Sequence, residues 1–227
     1  MVEYIREAFT LFFTGDEYLW GTILTTAEMS VLSTLISSLI GLPIGVVLGK
    51  SSFKGKGIIM RIIHTLMGLP PVVAGLVVFL LFCRVGPFGS FHIIYSVKAM
   101  VLAQVILITP IMIGLSASAV AARAGAFNET AKGIGLSATK QIFLLLADFR
   151  VQLIGIILIG FGRAIAEVGA VSIVGGNIQN KTRVMTTAIQ LETSKGNFEF
   201  AVAIGILLLT LSFLVNSLAY LLQEKMK

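Results

Sequence analysis

Between Glu28 and Lys50 this chain runs without one Asp, Glu, Lys or Arg, through MSVLSTLISSLIGLPIGVVLG. An apolar stretch longer than about 18 residues reads as a membrane span. In hydrocarbon every backbone N–H and C=O must be satisfied within the protein, so such a segment crosses as a helix. Several other windows pass the same threshold. The chain is 56% hydrophobic and 12% charged, with a mean hydropathy of +0.97, whereas soluble domains carry roughly 25% charged residues. That is more apolar surface than one aqueous core can use, so a soluble fold is excluded. The sequence specifies an all-α integral membrane protein.

Five spans are predicted, at about 22–49, 66–83, 99–121, 151–174 and 200–222, within one domain covering 1–227. The first is long enough to require tilt or protrusion. Gly41, Gly45 and Gly49 recur in it at a four-residue period, a smooth ridge for close helix packing. Pro70–Pro71 and Pro110 remove backbone donors in or beside the second and third spans, so kinks are expected there. The leader MVEYIREAFTLFFTGDEYLW carries Glu3, Glu7, Asp16 and Glu17 and is expected to remain as an interfacial segment rather than to be cleaved. Internal repeats are not evident, which gives no support to an inverted-repeat transporter.

Basic residues orient the spans. Lys50, Lys54, Lys56, Arg61, Arg123, Lys132, Lys140, Arg150, Lys225 and Lys227 fall on one side, against Arg6, Arg84, Lys98, Lys181, Arg183 and Lys195 on the other. The amino terminus is therefore expected outside and the carboxyl terminus in the cytoplasm. Tyr18 and Trp20 suit an outer interfacial anchor.

Little points to catalysis. Cys83 is the single cysteine, and His64 and His92 stand apart from one another and from any ligand cluster, so no metal site is expected. GVVLGKS at 45–51 resembles a phosphate loop, but Ile44 stands where the motif needs glycine, and the stretch ends a membrane helix. No cofactor, catalytic residue or nucleic-acid partner is assigned.

Arg163 and Glu167 are the conspicuous charges, set inside the fourth apolar stretch at i and i+4. That spacing puts both on one helix face, where they can partly neutralise each other. Three roles stand open: a structural ion pair, a pathway position at which Arg163 attracts an anion and Glu167 moderates its hold, or a gate that exchanges partners. Both are predicted to face protein or water. Thr186 and Thr187 in the outer loop are candidate hydroxyl donors to an anion, against the plainer reading of exposed residues on a short helix. Backbone amides at Gly175–Asn177 offer a weaker anion site against an ordinary turn, and Gly160, Gly162 and Gly169 read as positions of close helix approach. Glu28, with Thr25, Thr26 and Ser30, marks a polar interface or reaches the headgroups.

The cytoplasmic loop 122–150 reads RAGAFNETAKGIGLSATKQIFLLLADFR from Arg123 onward. Asn128 is a candidate N-cap for a short helix, Gly133 and Gly135 break it, and Ser137 can cap a second helix towards Asp148. The result is either a compact cytoplasmic knob or an amphipathic connector on the membrane. Glu129-Thr130-Ala131 followed by Gly135 resembles the E-A-A-x-x-x-G loop of permease subunits of binding-protein-dependent ABC importers, with Thr130 in place of Ala and Ala147-Asp148 where Leu-Pro is frequent. GLPIGVVLGKSSFKGKG and GLPPVVAGLVVFLL are similar to molybdate- and tungstate-type permeases, and GRAIAEVGAVSIVGGNIQNKTRVMTTAIQLETSKGNFEFAVAIGILL is most similar to the tungstate branch.

The resemblance implies a type I importer fold and a non-enzymatic transport subunit of the cell inner membrane. It further implies a homodimer carrying two cytoplasmic ATPase subunits, which would bind ATP and Mg, and served by an extracytoplasmic oxyanion-binding protein. Glu129, Thr130, Ala131 and Gly135 would seat the loop on the ATPase, Ala131 docking closely, Gly135 making the turn and Glu129 meeting a cation. Tungstate is the expected cargo, with molybdate or another oxyanion as the alternative. An ATP-independent transporter or channel, and an intramembrane enzyme using Glu28, Glu167 or a histidine, are the rival readings.

Overall fold

The computed structural model describes residues 17–122 and 124–225. The leader acids Glu3, Glu7 and Asp16, together with Arg6, Arg123 and Lys227, lie outside the described residues, as do the side chains of Asn128 and Lys132. Among the described residues the chain is helical and without strands: α1 Glu17–Lys50, α2 Lys56–Met67, α3 Pro71–Phe82, α4 Val97–Ala121, α5 Ala124–Gly133, α6 Ala138–Asp148, α7 Arg150–Ile165, α8 Gly169–Gly175, α9 Met185–Ser194 and α10 Phe198–Lys225. Three of these, α1, α4 and α10, are long and apolar enough to cross a membrane singly. Two further helix pairs, α2 with α3 and α6 with α7, pass the same test only when each is taken together, and they are bent by 96° and 75° at their breaks, as a broken span or a re-entrant loop would be.

The bends have local causes. Pro70 sits at the N-cap of α3 and Pro71 at its first turn, where a missing N–H and a fixed φ suit a helix start but end the preceding helix. The predicted span 66–83 is thus two helices, and α2 contributes a strongly amphipathic approach with Ile63 as its buried residue. Pro110, by contrast, lies inside an uninterrupted α4. Within the predicted span 151–174 the helix is interrupted: it stops at Ile165 and restarts at Gly169. Asn128 lies within α5, which begins at Ala124, so it is not the N-cap expected.

Parallel packing of α1 on α4 forms the centre of the fold. A Cβ on Gly41 would stand 2.5 Å from Met112 Cβ, one on Gly49 2.6 Å from the Ala117 carbonyl, and one on Gly45 would fall onto Ser116 Oγ. The helices touch backbone to backbone there, as small residues permit. Thr22, Thr26, Ser30, Ser33 and Ser37 continue the same buried face towards the Glu17 end of α1. Gly75 plays the equivalent part between α3 and α8, with its added Cβ only 2.7 Å from Ala170 Cα. Gly160 is packed against the Met112 side chain, whereas Gly162 has no heavy atom within 4 Å of its added Cβ. Close approach therefore explains the first of these glycines and not the second.

Candidate functional site

The interruption between α7 and α8 falls at Ala166–Val168, and its cause is visible in Glu167. The carboxylate Oε1 accepts the Ala170 N–H at 3.1 Å, satisfying a donor in the first turn of α8 that would otherwise be orphaned. Its Oε2 pairs with Arg163 Nη1 at 2.8 Å. The Glu167 carbonyl accepts the Thr186 hydroxyl at 2.7 Å, and its N–H donates to the Ala164 carbonyl at 3.3 Å. Glu167 is 3% exposed and Arg163 36%. The i,i+4 pair forms as the spacing requires, but across a helix end rather than along one helix.

That asymmetry sets what the site can do. The carboxylate is fixed by a cation and a helix terminus, so its buried charge is compensated. The guanidinium spends one edge on Glu167 and keeps further donors of its planar fork for another acceptor. It stands on an open face with Gly162 and with Ile159, which is 54% exposed.

The outer-loop threonines are placed differently from expectation. Thr186 and Thr187 are 7% and 1% exposed. The Thr186 proton goes to Glu167, while Thr187 Oγ1 donates to the Val184 carbonyl at 3.0 Å and accepts the Val184 N–H at 3.1 Å. A hydroxyl has one proton to give, so in this conformation neither can donate to an anion, and neither is an exposed surface residue. Gly175–Asn177 is a turn: Gly176 has φ +72° and caps α8, the Gly175 carbonyl accepts Thr182 Oγ1 at 2.6 Å, and Arg183 holds Asn177 through its side chain and carbonyl, each at 3.1 Å. The loop is tied to α1 by the Met185 N–H donating to Thr26 Oγ1 at 2.9 Å.

Gln104 is a residue the sequence reading passed over. It is 1% exposed in the middle of α4. Its Nε2 donates to the Ala164 carbonyl at 2.8 Å and lies 3.6 Å from Met29 Sδ, and its Oε1 accepts the Ser33 hydroxyl at 2.6 Å. One amide thus fastens α1, α4 and the end of α7 directly beneath the Arg163–Glu167 pair. The single amide side chain in this span was the available signal, since a buried amide requires partners.

At the other end, α5 and α6 form a knob. Gly135 makes the turn with φ +67°, a conformation glycine adopts without Cβ strain. The Leu136 N–H donates to the Ala131 carbonyl at 3.1 Å, and Gln141 Nε2 donates to the Leu136 carbonyl at 2.6 Å. Ser137 occupies the N-cap position of α6 without a side-chain cap bond. Leu145 and Phe149 are buried with Leu42, Val46 and Val120, fastening the knob to the ends of α1 and α4. Glu129 and Thr130 face outward, and Ile134 is 67% exposed at the tip. Ala131 is 2% exposed, so its small side chain closes the knob internally and is not presented to a partner in this conformation.

Residues 41–227 match the family described as binding-protein-dependent transport system inner membrane component. The chain is 35% identical over 228 aligned positions to the tungstate uptake system permease protein TupB of Peptoclostridium acidaminophilum, covering 99% of this chain and 100% of that protein. It is 36% identical to TupB of Campylobacter jejuni, covering 96% and 92% of the two chains. Against a probable anion ABC transporter permease protein of Haloferax volcanii the identity is 38%, over 92% and 93%.

Proposed function

The chain belongs to the binding-protein-dependent transport system inner membrane components, and from that premise we propose that it is the membrane permease of an ATP-driven importer of tungstate. One observation carries the substrate: end-to-end similarity to two tungstate permeases. The half-exposed Arg163 guanidinium supports it chemically, as an anion-attracting donor set whose charge Glu167 offsets in part. Partial neutralisation suits transport, because a pathway site must release what it binds.

The subunit works as a homodimer in this reading. Five spans do not enclose a pathway alone, and the open face at Ile159, Gly162 and Arg163 supplies the surface on which two copies would meet around it. A partner ATPase binds ATP and Mg and receives the α5–α6 knob through Glu129, Thr130 and the exposed Ile134, with Gly135 setting the turn. An extracytoplasmic binding protein delivers the anion to the face carrying α9. The amino terminus lies outside and the carboxyl terminus in the cytoplasm, supported by the seating of the knob beside the Lys50 end of α1 and by the excess of basic residues there.

The test is ATP hydrolysis by the reconstituted permease, its ATPase and its binding protein in nanodiscs, with tungstate, molybdate or sulfate added. Tungstate should stimulate at the lowest concentration. Stimulation by molybdate alone would move the cargo, and no response from an assembled complex would overturn the oxyanion reading.

A further inference from the structure

Glu28 takes no part in the machinery described above, yet it is the one charged residue of α1 between Glu17 and Lys50. At ~1.5 Å per residue, the helix from Glu28 to Lys50 rises about 33 Å, close to the ~30 Å hydrocarbon thickness of a bilayer. With Lys50 at one interface, Glu28 therefore sits at the other, and the Glu17–Ala27 segment projects beyond it to meet α9 and α10. Lys98, in the first turn of α4, lies at the same level, because both residues line one groove of about 450 Å³. The groove floor is Leu32, Ile36, Val101 and Val105.

Both charged side chains are exposed, and neither forms an ion pair among the described residues. The mouth of the groove thus offers a carboxylate and an ammonium, and its floor offers aliphatic surface. We propose that this groove binds a zwitterionic phospholipid with a primary ammonium headgroup, of the phosphatidylethanolamine class. Its ammonium meets Glu28, its phosphate meets Lys98, and an acyl chain lies along Leu32, Ile36, Val101 and Val105. Charge complementarity in both signs favours this occupant over an anionic lipid, which would leave Glu28 facing like charge. The surrounding face favours lipid over a second copy of the chain. It is aliphatic along α1, with Leu35 and Leu39 exposed at 53% and 76%. Helix contacts in membranes use small residues, and those of α1 are already spent on α4. The leaflet concerned is the outer one under the orientation proposed above; the site itself does not depend on that orientation or on the transported ion.

The experiment titrates the purified full-length chain in mild detergent with equal amounts of phosphatidylethanolamine and phosphatidylcholine of identical acyl chains. Retained lipid is counted by native mass spectrometry. Phosphatidylcholine keeps the positive charge but has no N–H to donate, so phosphatidylethanolamine should be retained about fivefold over it, the scale of one hydrogen bond of about 1 kcal/mol. Glu28→Leu removes both the charge and the acceptor, so it should bring that ratio to about one and lower retention of both lipids, while wild-type thermal unfolding reports that the variant folds. Lys98→Met should lower retention of both lipids, because both present the phosphate. Equal retention by the wild type would overturn the proposal. So would recovery of wild-type thermal stability by the charge-swapped Glu28→Lys/Lys98→Glu pair from two destabilised single variants, which would make the two side chains each other's partners. Disulfide cross-linking between chains carrying Leu32→Cys in a Cys83→Ser background would assign the groove to a second copy and overturn it equally.

Discussion

Replacing Gln104 by Leu keeps the volume of the side chain in α4 and removes its hydrogen bonds to the Ala164 carbonyl and to Ser33. Two interhelical bonds at about 0.6 kcal/mol each, the average measured in membrane helices, give about 1.2 kcal/mol. The structure says why the loss should not be larger. The Ala164 carbonyl retains the Glu167 N–H at 3.3 Å, and the Ser33 hydroxyl already reaches the Ser30 carbonyl at 3.2 Å. Neither group is orphaned, so the full penalty of an unsatisfied buried polar atom, about 1–3 kcal/mol per group, does not apply. The assay is unfolding in mixed micelles followed by circular dichroism, for Gln104→Leu, Ser33→Ala and the double variant. Gln104→Leu should cost about 1.2 kcal/mol. The double variant should cost less than the two single losses added, since both remove the same bond. A Gln104→Leu variant as stable as the wild type would refute the fastening role. A loss above about 3 kcal/mol would refute the claim that its partners have fallbacks.

Glu129→Lys should abolish stimulation of the partner ATPase by tungstate and the binding protein while the permease retains its wild-type thermal unfolding, because Glu129 is exposed on the knob; transport at the wild-type rate would remove the docking role. Gly45→Val should lower stability by at least about 1–3 kcal/mol, as overpacking does, because its Cβ meets Ser116 Oγ and lies 2.6 Å from the Ile113 carbonyl. Gly57→Ala, with no heavy atom within 4 Å, should be tolerated in the same thermal assay, and equal effects of the two would contradict the packing described. On α9, Glu192 is held below its ordinary value of 4.5 by the hydrogen bond from Lys195, aided by Asn197 and by the charges of Lys195 and Arg183 and opposed by burial. A carboxylate lowered in the folded state contributes stability above its unfolded value and loses it as pH falls through the folded one. Amide exchange in α9 should therefore accelerate as pH drops below about 4.5 once corrected for the intrinsic rate, and Glu192→Gln should flatten that dependence.

What could be read from the sequence and what could not divide along one physical line. The apolar runs, the glycine ridge of α1 and the Gly133–Gly135 break all act through the backbone of their own segment, so local composition reveals them. The bend at Pro70–Pro71 is of the same kind. The break within the fourth span is not legible in the sequence because it depends on a side chain that competes with the helix. A glutamate in an apolar stretch is a charge to be paired on any reading, and i,i+4 spacing names Arg163 as its partner. Capping of α8 by the same carboxylate needs Ala170 to begin a new helix, and that depends on α3 pressing Gly75 against Ala170 and on Gln104 holding Ala164 from α4. Thr186 escaped for the same reason, since its proton is committed to the Glu167 carbonyl, 19 residues away in the chain, whereas Thr187 closes a local capping box with Val184 at the start of α9. Ala131 is the converse case: a small residue in a loop reads equally well as a contact for a partner or as a contact for its own knob, and only its burial at 2% exposed in the folded chain favours the second. The break at Glu167 consequently couples three things in one residue: the end of α7, the start of α8 and, through Thr186, the outer loop that leads to α9. If the pair lies on the pathway as proposed, displacement of Arg163 by an arriving anion would act on all three together, which no charge on an unbroken helix could do.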